Sequence, residues 1–150
     1  MFGSIAHKAT FNKVFKATIS SNQQEINLAT WAAANKWDGR SAAEITIASG
    51  VYVWSDNTAT PALTTGNFPK GLTLINNGYI MGKGGAGGYL SAGGAGGVAI
   101  SLGCDATIST VSGYIGGGGG GGGDAYTDGS WVGGAGGGAG GGAGSTGYVA

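Results

Sequence analysis

The chain has 150 residues, a formal net charge of zero and 9% charged residues, far below the roughly 25% that is usual in globular proteins. The length is that of one domain with a small appendage, and the low charge argues against a nucleic-acid partner. One cysteine and one histidine form neither a disulfide framework nor a metal cluster, and no signal peptide or membrane-spanning run is evident. We therefore expect no cofactor, no enzymatic activity and synthesis in a cytoplasm.

Residues 1–20 are predicted to form a docking arm. The arm is basic, because it holds three lysines and one histidine without an acid. Its apolar side chains form a face that nothing later in the sequence obviously covers, so we expect the arm to dock on another protein. The predicted docking residues are Phe2, Ile5, Phe11 and Phe15. A helix or strand that packs on its own domain is an equally open alternative.

The pattern of residues 20–39 predicts a helix. Ser21 or Asn22 can cap its N-terminus, with Gln24 or Glu25 completing a capping box, and Gly39 lies where a C-terminal cap belongs. We therefore place one N-terminal helix ahead of the strands.

One face of this predicted helix is apolar. It consists of Ile26, Ala29, Ala33 and Trp37. Because of this helical spacing, we expect Trp31 and Trp37 to pack in the core and not to stack on sugars.

From residue 43 onward the hydrophobic period falls to two, which is typical of β-strands. The predicted strands lie on either side of Ser49-Gly50 and in residues 61–64, 72–75 and 79–81. Asn76-Asn77-Gly78 is a tight-turn signature between the last two. Short strands at this spacing predict a small β-helix or a β-sandwich, so residues 21–81 form the predicted domain of helix and strands.

Glycine dominates residues 82–150, the third predicted domain. All but six of the 36 glycines follow Met81, and residues 116–123 are an unbroken run. Such a composition is commonly a flexible linker, but the apolar, β-prone inserts between the blocks have no role in a linker. We predict packed polyglycine II helices, with three residues per turn and a rise of about 3.1 Å per residue. A valine at Gly119 or Gly120 is expected to push such helices apart.

An internal repeat links the strands to these helices. Residues 77–82 and 112–117 both contain Gly-Tyr-Ile ahead of a glycine block. Each copy is interpreted as one pass in which a strand leads into a polyglycine rod. The predicted fold is thus mostly β and irregular: one helix, short strands, then packed polyglycine II helices.

Residues 23–123, and most specifically residues 72–88, resemble the glycine-rich tip regions of tailed-phage fibres. The glycine blocks also resemble receptor-recognising phage adhesins, whose tip is a sandwich of polyglycine helices. The resemblance implies a virion protein, made in the bacterial cytoplasm, that binds an outer-membrane protein or surface glycan. It also implies contact with other fibre or tail-tip proteins. The composition predicts a weak core, which favours a homotrimer or docking on a trimeric fibre.

On this resemblance, the inserts between the glycine blocks are the expected receptor contacts. The predicted receptor-binding residues are Tyr89, Leu90, Asp124, Tyr126, Asp128 and Trp131. Residues 124–131 carry two carboxylates and two aromatic side chains, a composition typical of binding surfaces. The alternative is a solvated hairpin whose aromatic side chains fold back onto the rods.

Two other functions stay open at this point. One is a capsid or tail decoration protein without receptor binding, and the other is an ice-binding protein with a flat array of polyglycine rods. Cell binding and thermal hysteresis distinguish them. For catalysis, Cys104 would need a base, and His7 lies in a distant segment, so Cys104→Ser and His7→Ala are expected to leave function intact.

Overall fold

The computed structural model describes residues 13–88, 91–127 and 130–133, and within them the chain winds through four successive turns. The first turn contains β1 (Val14–Ile19), β2 (Gln23–Gln24), β3 (Ile26–Asn27) and the helix α1 (Leu28–Ala34). The second contains β4 (Ala42–Ile47), β5 (Tyr52–Trp54) and β6 (Leu63–Thr64). The third contains β7 (Leu72–Asn76), β8 (Tyr79–Met81) and β9 (Ile100–Ser101). The fourth contains β10 (Ala106–Ser109) and β11 (Tyr114–Gly116), and a hairpin of β12 (Asp124–Thr127) and β13 (Ser130–Gly133) follows.

The first eleven strands form a parallel β-helix with three faces. Their sheets have the orders β1-β4-β7-β10, β2-β5-β8-β11 and β3-β6-β9, and every pair in them is parallel. Each turn therefore stacks its strands on those of the turn before. The predicted fold class, mostly β with one short helix, is confirmed, and the β-helix is the alternative that is found.

Alternation along the strands builds the core. In β4 and β7 every second residue is buried, so that Ile45 and Leu74 lie side by side in register with no exposed surface. Val53 and Ile80 form the same kind of pair on the second face. Burial of each such side chain contributes about 1.5–3 kcal/mol to the free energy of folding. The buried residues of successive turns form one cluster, so the β-helix has a continuous core.

The predicted helix was too long at both ends. Strands β2 and β3 occupy its expected start, because Glu25 has a φ of 50° and turns the chain between two faces of the β-helix. The N-cap is Asn27, whose side-chain oxygen accepts from the Thr30 amide at 3.1 Å. The C-cap is Asn35, not Gly39. Within the described ranges no helix is long and apolar enough to cross a bilayer.

The apolar side of α1 also differs from the predicted stripe. Leu28 and Ala32 are its buried residues, whereas Ala33 is exposed. Both helix-region tryptophans, Trp31 and Trp37, pack against the core as expected. Trp37 lies 4.5 Å from Phe68 between ring centroids.

The turn after α1 is held by Asp38. One of its carboxylate oxygens accepts from the amide of Ser41, the amide of Arg40 and the hydroxyl of Ser41. These hydrogen bonds, the Ser41 amide first, lower the pKa of Asp38 to about 2. Gly39, with a φ of 73°, belongs to this turn.

Asn76 fixes the corner between two faces of the β-helix. It is fully buried, its side-chain nitrogen donates to the Tyr114 carbonyl at 3.0 Å, and its side-chain oxygen accepts from the Gly78 amide at 3.1 Å. The Asn-Asn-Gly turn thus connects strands of different sheets and not a hairpin.

Replacing Asn76 with alanine should cost about 2 kcal/mol, because the partly buried Tyr114 carbonyl and the buried Gly78 amide lose their partners. Asn77→Ala, at the half-buried neighbour, is the matched control and should cost less than about 0.5 kcal/mol. Chemical denaturation measures both. Equal losses would show that Asn76 does not hold the corner.

Candidate binding surface at the end of the polyglycine rods

Three glycine-rich segments lie side by side next to the β-helix. We call residues 82–88 rod 1, residues 91–97 rod 2 and residues 116–123 rod 3. Rod 1 donates to rod 3 from Gly82 to Gly116, from Gly85 to Gly119 and from Gly88 to Gly122, at 2.8–2.9 Å. The backbone amides of rod 2 donate to carbonyls of rod 1, from Gly94 to Ala86 and from Gly97 to Lys83. Those of rod 3 donate to carbonyls of rod 2, from Gly118 to Gly97 and from Gly121 to Gly94. These four distances are 2.7–2.8 Å.

These hydrogen bonds recur every third residue. A three-residue interval is the repeat of the extended threefold helix, which has no hydrogen bonds of its own and must bond to neighbours. Rods 1 and 3 are parallel, and rod 2 is antiparallel to both. The prediction of extended glycine segments that hydrogen-bond side by side is confirmed.

The same interval decides where glycine is obligatory. A methyl group on the positions that face a neighbouring rod would overlap a backbone carbonyl oxygen of that rod. These positions are Gly82, Gly85, Gly88, Gly93, Gly96, Gly118 and Gly121. By contrast, a methyl at Gly117, Gly120 or Gly123 would find its nearest atom at 3.5–3.8 Å, an ordinary contact. A single methyl group is therefore accommodated at Gly120 and excluded at Gly118 and Gly121, while the branched valine predicted to disrupt Gly119 or Gly120 stays a prediction.

The rods bring together the flanks of the two predicted contact segments. At their far end Gly88 donates to Gly122 at 2.9 Å, and a methyl at Gly123 would lie 3.8 Å from the Ser91 carbonyl oxygen. At the near end of the rods, Gly82 directly follows β8, and Gly116 is the last residue of β11. The connection after Gly88 and the hairpin after Gly123 therefore emerge at one end of the rods.

The hairpin carries three of the predicted contact residues. Its two strands pair so that Asp124 lies opposite Gly133 and Tyr126 lies opposite Trp131. The remaining predicted contacts, Tyr89, Leu90 and Asp128, lie outside the described residues, as do the docking residues Phe2, Ile5 and Phe11. Phe15 is half-buried in β1 and packs against the core.

An open groove of about 800 Å³ runs along rods 1 and 2, and the sequence did not predict it. Residues 56–59 form one wall, and the rods form the other. Asp56 and Lys83 bring opposite charges to it. The one signal in the sequence was Lys83, a cation inside a glycine block.

An exposed tyrosine column was also missed. Tyr52, Tyr79 and Tyr114 occupy the same position of successive strands on the second face and are 40–52% exposed. The rings of Tyr52 and Tyr79 stack at 4.8 Å and 12°. Each ring of this pair therefore covers one face of the other.

Among the described residues no group of three or more histidine, cysteine or acidic side chains is placed to hold a metal. Cys104 is half-buried, and its sulfur lies 3.8 Å from the Thr65 hydroxyl. That hydroxyl accepts from the Gly103 amide at 2.8 Å and donates to the Gly66 carbonyl at 3.0 Å. The surroundings of Cys104 are those of a turn that packs on the core.

The phage tail fibre adhesin Gp38 family matches residues 14–150, nearly the whole chain. The chain belongs to this family. Gp38 membership makes it a component of the phage particle and confirms the resemblance to fibre-tip adhesins.

A similar fold is found in a solved structure. The chain is similar to a protein in the crystal structure of the gp37-gp38 adhesin tip complex of the bacteriophage S16 long tail fibre, with a TM-score of 0.59 and 27% identity. The match covers 83% of this chain and 50% of that protein, so the chain spans about half of its length. No curated protein sequence matches.

The contrast between facing and outward glycines is testable within one rod. Gly121→Ala should destabilise the protein by about 3 kcal/mol through overpacking, because its methyl would overlap the Ala86 carbonyl. Gly120→Ala, one residue away, should stay within about 0.5 kcal/mol of the parent. Thermal unfolding of the two variants measures this, and similar behaviour would refute the assignment of faces.

Proposed function

We propose that this chain is the receptor-binding tip of a phage tail fibre, with its contacts at the far end of the rods. The observation that carries the proposal is that the connection between rods 1 and 2 and the hairpin β12–β13 emerge at the same end. Contact residues on loops that a well-fixed scaffold positions are a common arrangement for recognition. Family membership supports the same conclusion.

The hairpin is the stronger of the two contact segments. Asp124, Tyr126, Asp128 and Trp131 combine charge with large aromatic side chains, and tyrosine and tryptophan are enriched among residues that dominate binding energy. Tyr126 and Trp131 hold opposite positions of one ladder. Tyr89 and Leu90 complete the proposed surface.

The proposed receptor is an outer-membrane protein or a surface glycan of the host bacterium. Protease treatment of the cells removes the first class of receptor, and removal of surface polysaccharide removes the second. A decoration protein without receptor binding would lose nothing under either treatment. An ice-binding function receives no support from the family.

We propose that the fibre is contacted at the other end of the chain. In the described part of the structure β1 is the first strand of its sheet, so one edge of it is open for another chain, and Phe15 is only half-buried there. The similar protein was solved in a gp37-gp38 complex, which supports a second fibre protein as the partner. The docking arm with Phe2, Ile5 and Phe11 would add to this contact.

The core of the β-helix bears on the oligomeric state of the protein. A homotrimer was expected from a weak core, but the β-helix buries a continuous core within one chain. That reason has lost force, and docking of the chain on a trimeric fibre is the form we favour. Mass measurement of the isolated protein and of the fibre complex separates the two.

We propose that the chain acts without catalysis. The half-buried Cys104 lies against a threonine hydroxyl that is already engaged in the turn, and His7 is outside the described residues. Cys104→Ser and His7→Ala should leave attachment unchanged.

Tyr126→Ala and Trp131→Ala should each weaken adsorption to host cells at least about tenfold, since aromatic contacts commonly contribute more than 1 kcal/mol. Tyr52→Ala, an exposed tyrosine on the β-helix, is the control and should adsorb normally. Binding of the purified protein to host cells measures the effect. Normal adsorption of both hairpin variants would contradict the proposed receptor contacts and favour a decoration protein.

Replacing Phe2, Ile5 and Phe11 together with serine should reduce incorporation into the fibre, because the arm loses its apolar contacts. Val111→Ser is the control, since Val111 is 93% exposed beyond β10, at the other end of the stack. Pull-down with the fibre protein measures incorporation, and folding is checked by circular dichroism. Wild-type incorporation of the triple variant would exclude the arm from the interface.

A further inference from the structure

The groove along rods 1 and 2 is a concave surface apart from the far end of the rods. Its lining reaches from Lys83 to Ala86 in rod 1 and from Gly94 to Gly96 in rod 2, which is the half of the rods nearer the β-helix. The hairpin β12–β13 follows rod 3 at the opposite end. The volume of about 800 Å³ falls within the range of pockets that hold small ligands.

Hydrogen bonds fix the loop that forms one wall of the groove. The hydroxyl oxygen of the buried Ser55 accepts from the Asn57 amide at 3.0 Å, and the Asn57 side-chain oxygen accepts from the Ala59 amide at 2.9 Å. A methyl group at Gly97 would lie 3.0 Å from the Thr58 Cα, so rod 2 packs directly on this loop. The wall therefore presents its side chains from a preorganised backbone.

The polar groups of the groove combine donors and acceptors. Asp56 supplies a carboxylate, Thr58 supplies a hydroxyl, and Lys83 supplies an ammonium group from the rod side. The methyl groups of Ala86 and Ala95 add small apolar surface between them. Because a sugar hydroxyl both donates and accepts, and the carbon-bound hydrogens of a sugar ring can pack on methyl groups, this lining suits a saccharide.

Lys83 gives the groove a preference for an anionic group. Within the described residues Lys83 and Asp56 do not form an ion pair with each other. Lys83 is half-buried, whereas Asp56 is exposed. The charge of Lys83 is thus less screened by water, and a charge-assisted hydrogen bond to it contributes more. A saccharide with a carboxylate or phosphate group is therefore favoured over a neutral one.

The apolar part of the lining distinguishes a saccharide from a peptide. It consists of alanine and glycine, with no large or aromatic side chain among the described residues that line the groove. Peptide recognition commonly depends on large side chains that fill apolar pockets. Because the groove offers no such pocket, a polypeptide loop would gain little there.

We propose that the groove binds an acidic saccharide, as a second binding site beside the surface at the far end of the rods. The Lys83 ammonium group donates to the carboxylate or phosphate of the saccharide. The Asp56 carboxylate accepts from sugar hydroxyls, and the Thr58 hydroxyl adds a third hydrogen bond. That this saccharide belongs to the host surface rests on the proposed function.

Calorimetric titration of the purified full-length protein tests the site. The probe is the oligosaccharide fraction that mild acid releases from the host surface, compared with the same fraction after carboxyl reduction and dephosphorylation. The acidic fraction should bind, and the neutralised fraction should bind at least about tenfold more weakly. Lys83→Ala should weaken binding of the acidic fraction by about the same factor. Lys70→Ala is the matched control, since it removes the same charge from an exposed turn outside the groove.

A bulky side chain in the groove gives a second measurement. Ala95 is exposed and lines the groove, so Ala95→Trp should abolish binding of the acidic fraction. Thr107→Trp, at an exposed position of β10, should bind as the parent does. Thermal unfolding checks that both variants fold.

Several outcomes overturn the proposal. They are no binding of the acidic fraction, equal binding of the two fractions, equal losses in Lys83→Ala and Lys70→Ala, and unchanged binding by Ala95→Trp. Binding of sugar-free outer-membrane protein that Ala95→Trp blocks would assign the groove to a polypeptide and would also overturn it. Adsorption of the Tyr126→Ala and Trp131→Ala variants to cells tests the far-end surface separately, so either proposal can fail without the other.

Discussion

The close approach of three polypeptide backbones is the constraint on which the glycine-rich half depends. Each rod donates a hydrogen bond every third residue to a neighbour, in the ring rod 1 to rod 3, rod 3 to rod 2 and rod 2 to rod 1. An extended threefold helix has no internal hydrogen bonds, so this lateral bonding satisfies backbone groups that a single rod would leave to water. The bonds form only because no side chain separates the backbones at the facing positions.

The β-helix determines which rods become neighbours. β8 and β11 are adjacent strands with Met81 beside Gly116, and the first rod-to-rod bond joins the next residue, Gly82, to Gly116. Rods 1 and 3 are therefore parallel because the strands that precede them are parallel. Rod 2 runs back to β9 and fills the place between them as the antiparallel member. The register of the rods is thus determined by the register of the strands that precede them, because the rods have almost no side chains that could determine it.

Local sequence predicted this architecture where one physical signal dominated, and not where two competed. The alternation in residues 42–47 and 72–76 predicts strands, and the apolar inserts between the glycine blocks favour packed rods over a linker; both the strands and the rods are found. Residues 21–27 resemble a capped helix start, but their polar and apolar residues also fit two short strands, and the left-handed Glu25 at the corner favours the strands. The tolerance of Gly120 and the intolerance of Gly121 depend on which face meets a neighbour, which a run of identical glycines cannot encode.

Under the proposed function, stability depends on the facing glycines and recognition depends on the loops at the far end of the rods. Positions such as Gly85 and Gly118 admit no side chain, so every substitution there acts on the scaffold. The hairpin β12–β13 follows rod 3 at the far end and contributes nothing to the ring of hydrogen bonds within the described residues. On this proposal, changes in residues 124–131 alter the contact surface while the rods stay in register. The proposed surface can vary because the rods that support it have almost no side chains that must be repacked.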